Sequence, residues 1–411
     1  MTIRIRARNA LRTALRTALW GLAACIVVCI VVCQTAIAQQ HDAPVPVVFQ
    51  GTVVHAETGA PLPGVHIFLA GTTTGTATDR SGAFSFTTRA RGAHRLYISM
   101  VGFESEQRDL VLRGGARHTL HLQLTPSTVA LDAITVEAER SRSWRRSLQR
   151  FEELFIGTSE YADEVTLLNP EVLRFSRSWW GPFQADASAP LVIENRALGY
   201  RIRYHLDEFE SRGSILRWDG EPFFELLTPS SEQEAERWRQ QREEAFRGSF
   251  RHFMLALLYD RVSEEGFAMH RVRLSHMNRP PRSQPQFRAR ATRIVEPTED
   301  STFAVRFRGR LMVRYHEAPE SQAFVAWRGG TPRRPRAYQP SQVELNRRPV
   351  EVDRWGKSLE PYAMTVYGAF AFRRIADLVP LGYLPDAYGA DSPFPRRTDL
   401  YVSGGQPESG E

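Results

Sequence analysis

Cysteine is nearly absent from this chain of 411 residues, and its three copies lie close together near the N-terminus. They are Cys25, Cys29 and Cys33, within a single apolar run. The rest of the chain has no thiol, so it can form neither a disulfide nor a metal site with cysteine ligands. An oxidising compartment would therefore leave its covalent structure unchanged.

Long apolar runs are equally scarce, because no run after residues 17–33 reaches the length of a membrane span. The apolar run follows five arginines without an acid and precedes Ala36-Ile37-Ala38, a small-x-small cleavage pattern. This arrangement predicts a secretory signal peptide over residues 1–38, and Gln39 as the first residue of the mature protein. An uncleaved anchor and a lipoprotein processed at Cys25 are the alternatives. The apolar run continues past Cys25, which favours cleavage after Ala38.

The excess of positive charge largely disappears with that segment. The full chain carries 53 basic and 46 acidic residues, a net charge of +7. Residues 1–38 hold five of the arginines, so 48 basic and 46 acidic residues remain and the net charge falls to +2. So small a charge argues against nucleic acid as a partner. Lysine is almost missing too, since Lys357 is the only one.

Motifs of the common catalytic mechanisms are also missing from the sequence. The chain has no G-x-S-x-G nucleophile elbow, and it has no P-loop and no dinucleotide-binding fingerprint. The segment Asp79-Arg80-Ser81-Gly82 offers one carboxylate where a calcium loop needs several. The sequence therefore predicts a protein that is not an enzyme and that carries no cofactor and no metal.

The clearest pattern that is present lies in residues 51–103, where short β-branched and aromatic runs alternate with turn clusters. Phe84 and Phe86 alternate with small or polar residues, which is the period of a strand with one apolar face. The turn before them combines Asp79, able to form an Asx-turn, with Gly82, free to take a positive φ. About seven strands within about 80 residues predict a sandwich of two sheets.

A series of residues in this stretch also matches, in order, the pattern of a known domain. They are Gly51 with Val53, Thr58-Gly59, Leu62-Pro63-Gly64-Val65, Gly71-Thr72, Gly75-Thr76, Thr78-Asp79, Gly82-Ala83-Phe84 and Val101-Gly102-Phe103. Through them the stretch resembles the carboxypeptidase regulatory-like domain family. The resemblance implies a transthyretin-like (prealbumin-like) β-sandwich in an exported protein, without catalytic residues. Such domains accompany peptidases, TonB-dependent outer-membrane transporters and surface proteins.

The remainder of the chain mixes strand and helix patterns. A helix is predicted near residue 150, a strand over residues 200–207, and a hairpin that turns at Gly309-Arg310. Ser231 with Glu234 makes a capping box for one helix, and Gly248-Ser249 precedes another. The apolar stripe of that second helix is Phe250, Phe253, Met254, Leu257 and Leu258. Such a mixture predicts an α+β domain.

These patterns divide the chain into five segments. The signal peptide covers residues 1–38, the sandwich residues 47–125, and a linker with one short strand residues 126–150. The α+β domain of unknown function covers residues 151–385, and a tail rich in proline, glycine and serine, expected to be disordered, covers residues 386–411. The short strand is similar to the segment that joins this domain to the plug of TonB-dependent transporters.

Two groups of residues are candidate sites, and each has a structural alternative. Trp179 and Trp180 could stack on sugar rings, and core packing is the alternative for them. His205 and Glu208 form an H-x-x-E pattern that, with His316, could bind zinc as in carboxypeptidases. Positions i and i+3 of a regular strand point to opposite faces, so a polar strand face is favoured for His205 and Glu208.

The sequence as a whole predicts an exported, non-enzymatic cell-envelope protein located in the periplasm, at the outer membrane or on the cell surface. Its predicted role is to bind a protein or polysaccharide partner at the outer membrane, with which it would associate peripherally. A carbohydrate-binding accessory protein that uses Trp179 and Trp180 is the first alternative. A metallocarboxypeptidase-like hydrolase is the second.

Replacing Gly82 by valine should destabilise the sandwich, because a β-branched residue fits a positive φ poorly. Residues 45–126 hold all the strands and turns that two sheets need, so this fragment should melt cooperatively. Thermal melts of the fragment and of its Gly82→Val variant measure both expectations. A variant that melts at the temperature of its parent would contradict the turn assignment.

Overall fold

The computed structural model describes residues 45–90, 92–113, 115–127, 142–177, 181–273, 287–298, 302–329 and 334–388. The predicted signal peptide, the short strand of the linker and the tail beyond Tyr388 lie outside these residues. The described part of the chain is built mostly of β-sheets, with fewer helices. None of its helices is both long and apolar enough to span a membrane.

Residues 45–127, called the N-terminal region below, form two sheets around one hydrophobic core. The strands are β1 (Val47–His55), β2 (His66–Leu69), β3 (Gly75–Ala77), β4 (Ala83–Thr88), β5 (Gly92–Ser99), β6 (Glu106–Leu112) and β7 (Arg117–Leu124). One sheet has the order β4-β1-β7, with β1 parallel to β7, and the antiparallel second sheet has the order β3-β2-β5-β6. Side chains such as Phe49, Ile67 and Ile98 fill the space between them. Seven strands in two sheets agree with the prediction.

The turn before β4 has the predicted chemistry. The Asp79 carboxylate Oδ1 accepts hydrogen bonds from the backbone N–H groups of Ser81 at 2.8 Å and Ala83 at 3.0 Å, and from the Ser81 hydroxyl at 2.6 Å. The hydroxyl bond and then the backbone bonds lower the pKa of Asp79. Gly82 has a φ of +73°, and a Cβ there would lie 2.5 Å from the Val53 carbonyl oxygen. Larger residues at this position are therefore excluded by both φ and space.

Residues 142–388, called the C-terminal region below, contain all the described helices and three further sheets. Its elements are α1 (Arg142–Phe155), β8 (Val165–Leu167), β9 (Leu173–Arg177), β10 (Phe183–Ala187), β11 (Leu191–Asn195), β12 (Tyr200–Arg212), β13 (Ile215–Leu226), α2 (Glu232–Phe246), α3 (Phe250–Leu258), β14 (Phe267–Val272), β15 (Phe287–Arg288), β16 (Val295–Pro297), β17 (Phe303–Val305), β18 (Arg310–Tyr315), α4 (Gln322–Trp327), β19 (Gln339–Leu345), β20 (Val350–Val352), β21 (Met364–Gly368) and α5 (Ala369–Phe372).

The long hairpin β12–β13 organises a six-stranded sheet. One edge of β12 pairs with β11 along its first half and with β10 near its end, and β8 and β9 extend these pairs outward. The predicted strand over residues 200–207 is the first half of β12, and it alternates as expected because Tyr200, Ile202 and Tyr204 are buried. Helix α1 packs Phe151 and Phe155 on the same core, as its apolar face predicts.

The hairpin predicted at Gly309-Arg310 is wrong, because its two strands belong to different sheets. β18 pairs with β14 and β19 in a sheet of order β15-β14-β18-β19-β21, whereas β17 lies between β16 and β20. The chain leaves β17 at Arg306, whose N–H donates to the carbonyl of Ile294 at 2.7 Å. The alternation of buried residues is right, but alternation does not specify the partner of a strand.

Helix α3 lies between two hydrophobic cores, and its residues from His252 to Leu258 are all buried. Leu255 packs into the core of the six-stranded sheet, while Phe253, Met254 and Leu257 pack into the core of the five-stranded sheet. The sequence predicted a single apolar stripe, and the structure shows that the opposite face is covered as well. A helix that is apolar around its circumference is characteristic of such a central position.

Side-chain caps begin both central helices, as the sequence predicted. The Ser249 hydroxyl accepts the N–H of His252 at 3.1 Å at the start of α3, and the Ser231 hydroxyl accepts the N–H of Glu234 at 3.2 Å at the start of α2. The reciprocal bond of the capping box is shifted by one residue, because the Glu234 carboxylate accepts from Ser230.

Two borders of the C-terminal region differ from the sequence prediction. Helix α1 begins at Arg142, inside the segment 126–150 that was assigned to a linker, because its first two turns are mostly polar, with Trp144 and Leu148 as their only apolar side chains. The chain keeps defined contacts up to Tyr388, beyond residue 385, since the turn Asp386–Tyr388 joins the buried side chains of α3.

Truncating Leu257 to alanine should lower the free energy of unfolding by about 2–5 kcal/mol, because the cavity cannot close between two packed cores. Leu257 is 1% exposed. Leu168→Ala is the matched control, since that leucine is 48% exposed and its truncation should cost well under 1 kcal/mol. Denaturant unfolding of both variants measures the difference, and equal losses would remove α3 from the core.

Candidate functional site

A cleft of about 600 Å³ opens in the C-terminal region where α2 and β18 end, facing α4 and α5. This volume lies within the range of small-molecule sites in proteins. The lining residues are aromatic, acidic, basic and small: Glu160, Tyr161, Glu244, Ala245, Arg247, Tyr315, Glu317, Ala318, Ser321, Phe324, Gln339, Ala369, Phe372, Arg373 and Asp377.

One wall of the cleft is aromatic. Phe324 of α4 and Phe372 of α5 have ring centroids 5.4 Å apart, and both rings contact Trp327, at 5.9 and 5.5 Å. The two phenylalanines are buried, whereas Trp327 is 42% exposed. Helix α4 is fixed by a cap in which the Ser321 hydroxyl accepts the N–H of Phe324 at 3.1 Å. The wall is therefore formed by two short helices that pack through their rings.

The two arginines of the cleft are already engaged by the fold. Arg373 donates to the carbonyl oxygens of Ala245 and Arg247, both at 2.8 Å, and to the Gln339 side chain at 3.4 Å. Arg247 is paired with Glu243 at 2.8 Å, one turn earlier on α2. These bonds hold α5 against the end of α2 and leave little of either guanidinium for a ligand.

The acidic side chains of the cleft have fewer bonding partners than its two arginines. Glu160, Glu244 and Glu317 are exposed, and within the described part of the chain none of them makes an ion pair; Glu244 accepts a hydrogen bond from the Tyr161 hydroxyl at 3.2 Å. Burial raises the pKa of Asp377 to about 6. Three exposed carboxylates therefore line the cleft beside Asp377, whose carboxylate accepts the backbone N–H of Arg374 at 3.2 Å and lies near the charge of Arg373.

The sequence did not single out this cleft. Its residues extend along the chain from Glu160, beyond α1, to the turn Ile375–Asp377, and they belong to at least five separate elements. No two of its charged residues form a motif with a fixed spacing. A sequence pattern could reveal such a site only if its residues lay close together along the chain.

Trp179 and Trp180, the sugar-stacking residues that the sequence suggests, lie outside the described residues. Their role stays a prediction. Phe183, two residues beyond the Gly181 that follows them, is 3% exposed and packs in the core of the six-stranded sheet. That part of the aromatic cluster serves packing.

The H-x-x-E pattern does not have the strand geometry that the sequence predicted. A β-bulge between Leu206 and Glu208 inserts Asp207 into β12, so Leu206 and Phe209 both pack into the core. His205 and Glu208 therefore lie on the same face, and the prediction of opposite faces is wrong. Each has another role, however: His205 packs between aromatic rings, and Glu208 accepts from the Tyr362 hydroxyl at 2.9 Å.

His316, the third residue of the hypothetical zinc site, is exposed beside the ring of Tyr338, with centroids 5.6 Å apart. Among the residues that the structure describes, no group of three or more histidine, cysteine, aspartate or glutamate side chains could hold a metal ion. The zinc hypothesis for His205, Glu208 and His316 thus has no geometric support.

His252 of α3 is hydrogen-bonded to a carboxylate, as many catalytic histidines are. His252 is fully buried, with Nε2 3.1 Å from the Glu265 carboxylate, which also accepts from the Tyr388 hydroxyl at 2.6 Å. Its Nδ1 accepts the backbone N–H of Gly248 at 3.0 Å, so the proton of the neutral ring is on Nε2. Both nitrogens are occupied by the fold, and His252 anchors Tyr388 to α3 and has no free nitrogen to act as a base.

The N-terminal region packs on the hairpin β12–β13 through the outer face of its second sheet. The ring of Phe68 lies 5.0 Å from that of Phe223, and His205 lies 5.3 Å from Phe68 and 4.7 Å from Tyr97, measured between centroids. Backbone bonds add to this contact, since Gly71 N–H donates to the carbonyl of Pro222 at 2.8 Å. The alternation of Leu96, Ile98 and Met100 with Arg95, Tyr97 and Ser99 predicts a polar face for Tyr97, yet this tyrosine is 2% exposed.

A buried carboxylate connects three segments at this junction. Glu221 of β13 is 3% exposed and receives Arg95 of β5 at 3.2 Å and Lys357, from the loop after β20, at 2.9 and 3.0 Å. Removing one partner of such a group costs several kcal/mol, because the remaining charge stays desolvated. The single lysine of the chain thus serves the contact between the two regions.

Residues 49–136 match the family model described as the CarboxypepD_reg-like domain. The match confirms the resemblance on which the predicted sandwich depends. It extends from the third residue of β1 through β7 and includes residues beyond the described part of the chain.

Similarities to solved structures are distant. A 3-chlorocatechol 1,2-dioxygenase from Rhodococcus opacus 1CP is 13% identical with a TM-score of 0.17, and the match covers 22% of this chain and 62% of that one. A chain of a type II cohesin–X-dockerin complex from Acetivibrio cellulolyticus is 22% identical with a TM-score of 0.16, covering 18% and 52%. A candidate carbohydrate-binding protein from Bacteroides uniformis ATCC 8492 is 8% identical with a TM-score of 0.17, covering 39% and 60%. This chain spans less than two thirds of each, and the search of curated proteins found no match.

Acid should weaken the folded protein through His205. Burial, then the charges of His66 and Arg203, lower the pKa of His205 to about 4 from 6.5. As the pH falls, the unfolded chain binds the proton before the folded protein does. The contribution of His205 to the free energy of unfolding is therefore fully present above pH 6.5 and decreases towards pH 4, by about 3 kcal/mol for this shift in pKa.

The variant His205→Phe should flatten this pH dependence, because phenylalanine keeps the ring packing without titrating. Its control is His316→Gln, at an exposed histidine. Denaturant unfolding between pH 7 and 4 compares each variant with the wild type, and titrating groups that do not interact with His205 cancel in that comparison. Parallel curves for wild type and His205→Phe would contradict the assigned effect of burial.

Proposed function

We propose that this protein is a non-enzymatic component of the cell envelope that binds a protein or polysaccharide partner in the cleft of its C-terminal region. The domain match at residues 49–136 supports the envelope assignment, because such domains accompany exported and outer-membrane proteins. The basic and apolar N-terminus, followed by Ala36-Ile37-Ala38, supports export. In this proposal the protein is peripheral to the outer membrane.

The fold classes belong to the same proposal. We assign the N-terminal region to the transthyretin-like sandwiches, on the basis of its two packed sheets and of the domain match. The C-terminal region is assigned to the α+β class, since its helices are grouped between and beside largely antiparallel sheets. In both, the sheets act as a rigid support for the cleft.

The composition of the cleft is the main support for the proposed binding role. It joins a wall of buried aromatic rings to a rim of exposed carboxylates, and backbone-anchored Arg373 holds its sides together. Binding sites commonly combine an apolar wall with a few polar groups that fix orientation. The described histidines nearest to catalytic patterns, His205 and His252, are instead buried in packing and hydrogen bonds.

A carbohydrate-binding accessory protein is the second candidate function. The exposed Trp327 favours it, since this tryptophan stacks on Phe324, a lining residue of the cleft, and could accept a sugar ring. This candidate differs from the first in its ligand and shares the same cleft.

Filling the cleft tests the proposal. In Ala318→Trp the new indole should occupy the cleft and abolish binding to immobilised envelope protein and polysaccharide fractions, with at least about a tenfold loss of affinity. Ala326→Trp places the same side chain on an exposed face of α4 and serves as the matched control. Thermal melts show that both variants fold.

Binding by the wild type that is lost only in Ala318→Trp supports the proposal. Retention of both fractions by Ala318→Trp at wild-type affinity would show that the partner binds elsewhere. Turnover of the bound polysaccharide or peptide would contradict the non-enzymatic assignment.

A further inference from the structure

We infer that the junction between the two regions holds a second binding site, which takes a small neutral phenol. The site is an apolar pocket of about 180 Å³ between the outer face of the second sandwich sheet and the hairpin β12–β13. Among the described residues it shares no lining residue with the cleft. The inference goes beyond the proposed function, because it concerns a different site and a different class of ligand.

The pocket is formed by side chains on two facing surfaces. On the sandwich, the cross-strand pair His66 and Ser99 lies next to Phe68. On the hairpin, the rings of His205 and Phe223 face this group, with centroids 5.3 and 5.0 Å from that of Phe68. The rest of the lining is mostly apolar and comes from the loop after β5 and from the segment that joins β10 to β11.

The volume of the pocket corresponds to one aromatic ring. An engineered apolar cavity of about 150 Å³ in another protein takes up benzene, and this pocket has about 180 Å³. One wall is fixed before a ligand arrives, because the Asn169 side chain donates to the Pro190 carbonyl at 2.9 Å and accepts the N–H of Val192 at 2.7 Å. A preformed pocket loses little binding free energy to the ordering of its own groups.

Two buried polar side chains of the lining have no hydrogen-bond partner among the residues that the structure describes. They are Ser99, which is 6% exposed, and His205, which is 7% exposed. Both also line an adjoining, more polar pocket of about 290 Å³, so they lie at the border between the two pockets. A buried polar group without a partner is unfavourable, and a ligand hydroxyl at this border would remove that cost.

The protonation state of His205 selects a neutral ligand. Burial, then the charges of His66 and Arg203, lower the pKa of His205 to about 4. The ring is therefore neutral at pH 7 and offers one N–H donor and one acceptor nitrogen. A phenol hydroxyl can donate to that nitrogen and accept from the Ser99 hydroxyl. The charge of Arg203 is compensated by Glu225 at 2.8 Å, so an anionic ligand would be buried without a counter-charge.

The aromatic walls favour a phenol over an aliphatic alcohol. Phe68 meets the rings of Phe223 and His205 at angles of 43° and 31°, and such tilted rings accept another ring by offset or edge-to-face contacts. A phenol, with a pKa of about 10, is also a stronger hydrogen-bond donor than an alkyl alcohol. Water would satisfy the polar groups of the border without contacting the rings, whereas a phenol does both.

Titration calorimetry with p-cresol tests the inference on the mature full chain. p-Cresol should bind with a Kd below about 1 mM. Two probes each lack one feature: 4-methylanisole cannot donate a hydrogen bond, and cyclohexanol has no aromatic ring. Each should bind at least about tenfold more weakly. The inference is overturned if p-cresol does not bind at about 10 mM, or if cyclohexanol binds equally well.

Two substitutions at the border locate the site. Ser99→Ala and His205→Phe each remove a hydrogen-bonding group and should lower the affinity for p-cresol at least about tenfold. Ser85→Ala and His316→Gln, at exposed positions, are the matched controls. Thermal melts verify that each variant folds, and Ser99→Ala decides alone if His205→Phe does not fold. Wild-type affinity in the folded border variants would contradict the assignment.

The nitrogen-15 signals of the histidine rings give a readout that a purely structural effect would not produce. p-Cresol should shift the ring signals of His205 and leave those of exposed His316 unchanged. Ala318→Trp, which fills the cleft, should bind p-cresol as the wild type does. A folded Ala318→Trp variant that no longer binds p-cresol would place the phenol in the cleft and overturn the inference, without bearing on the envelope partner.

A last probe identifies the source of the phenol. It is an N-acetylated, amidated Gly-Tyr-Gly peptide, which presents the same ring on a backbone. Tighter binding of p-cresol supports a free small molecule as the ligand, and tighter binding of the peptide supports a tyrosine side chain of a partner protein. Either result agrees with phenol recognition, provided that Ser99→Ala weakens it, and binding that Ser99→Ala leaves unchanged contradicts the site.

Discussion

The C-terminal region depends on the burial of helix α3 between two hydrophobic cores. One core joins it to the six-stranded sheet and the other to the five-stranded sheet, so neither core would be filled without it. Its first turn also positions the cleft. Gly248, at a φ of +68°, brings the backbone against Tyr315, where a Cβ would lie 2.6 Å from the ring, and the adjacent Arg247 carbonyl accepts from Arg373.

The same helix links the cleft to the N-terminal region through the last described residues. Arg251 donates to the carbonyl oxygens of Pro380, Leu381 and Tyr383, and the N–H of Leu381 donates to the carbonyl of Gly71 in the sandwich at 2.9 Å. Together with buried Glu221, these bonds make the sandwich a supporting layer for the hairpin β12–β13. The two regions therefore contact each other through specific charged and aromatic groups.

The sequence predicted those features that local chemistry determines. The Asx-turn at Asp79, the caps at Ser231 and Ser249 and the alternation in β12 each depend on residues a few positions apart, and all of them are present. Features that depend on distant partners were missed: β17 and β18 pair with other strands, the bulge at Asp207 changes which residues share a face, and Tyr97 is covered by the C-terminal region. The cleft belongs to this second group, because its residues converge only when α2, β18, α4 and α5 have packed.

Photo-crosslinking from inside the cleft tests the central claim most directly. A photoreactive phenylalanine analogue at position 318, in the cleft, or at position 111, an exposed site on the sandwich edge strand β6, would be activated in the presence of envelope fractions. The account predicts a discrete crosslinked partner from position 318 and none from position 111. Crosslinks that arise only from position 111 would place the partner on the sandwich and contradict the cleft as the binding site.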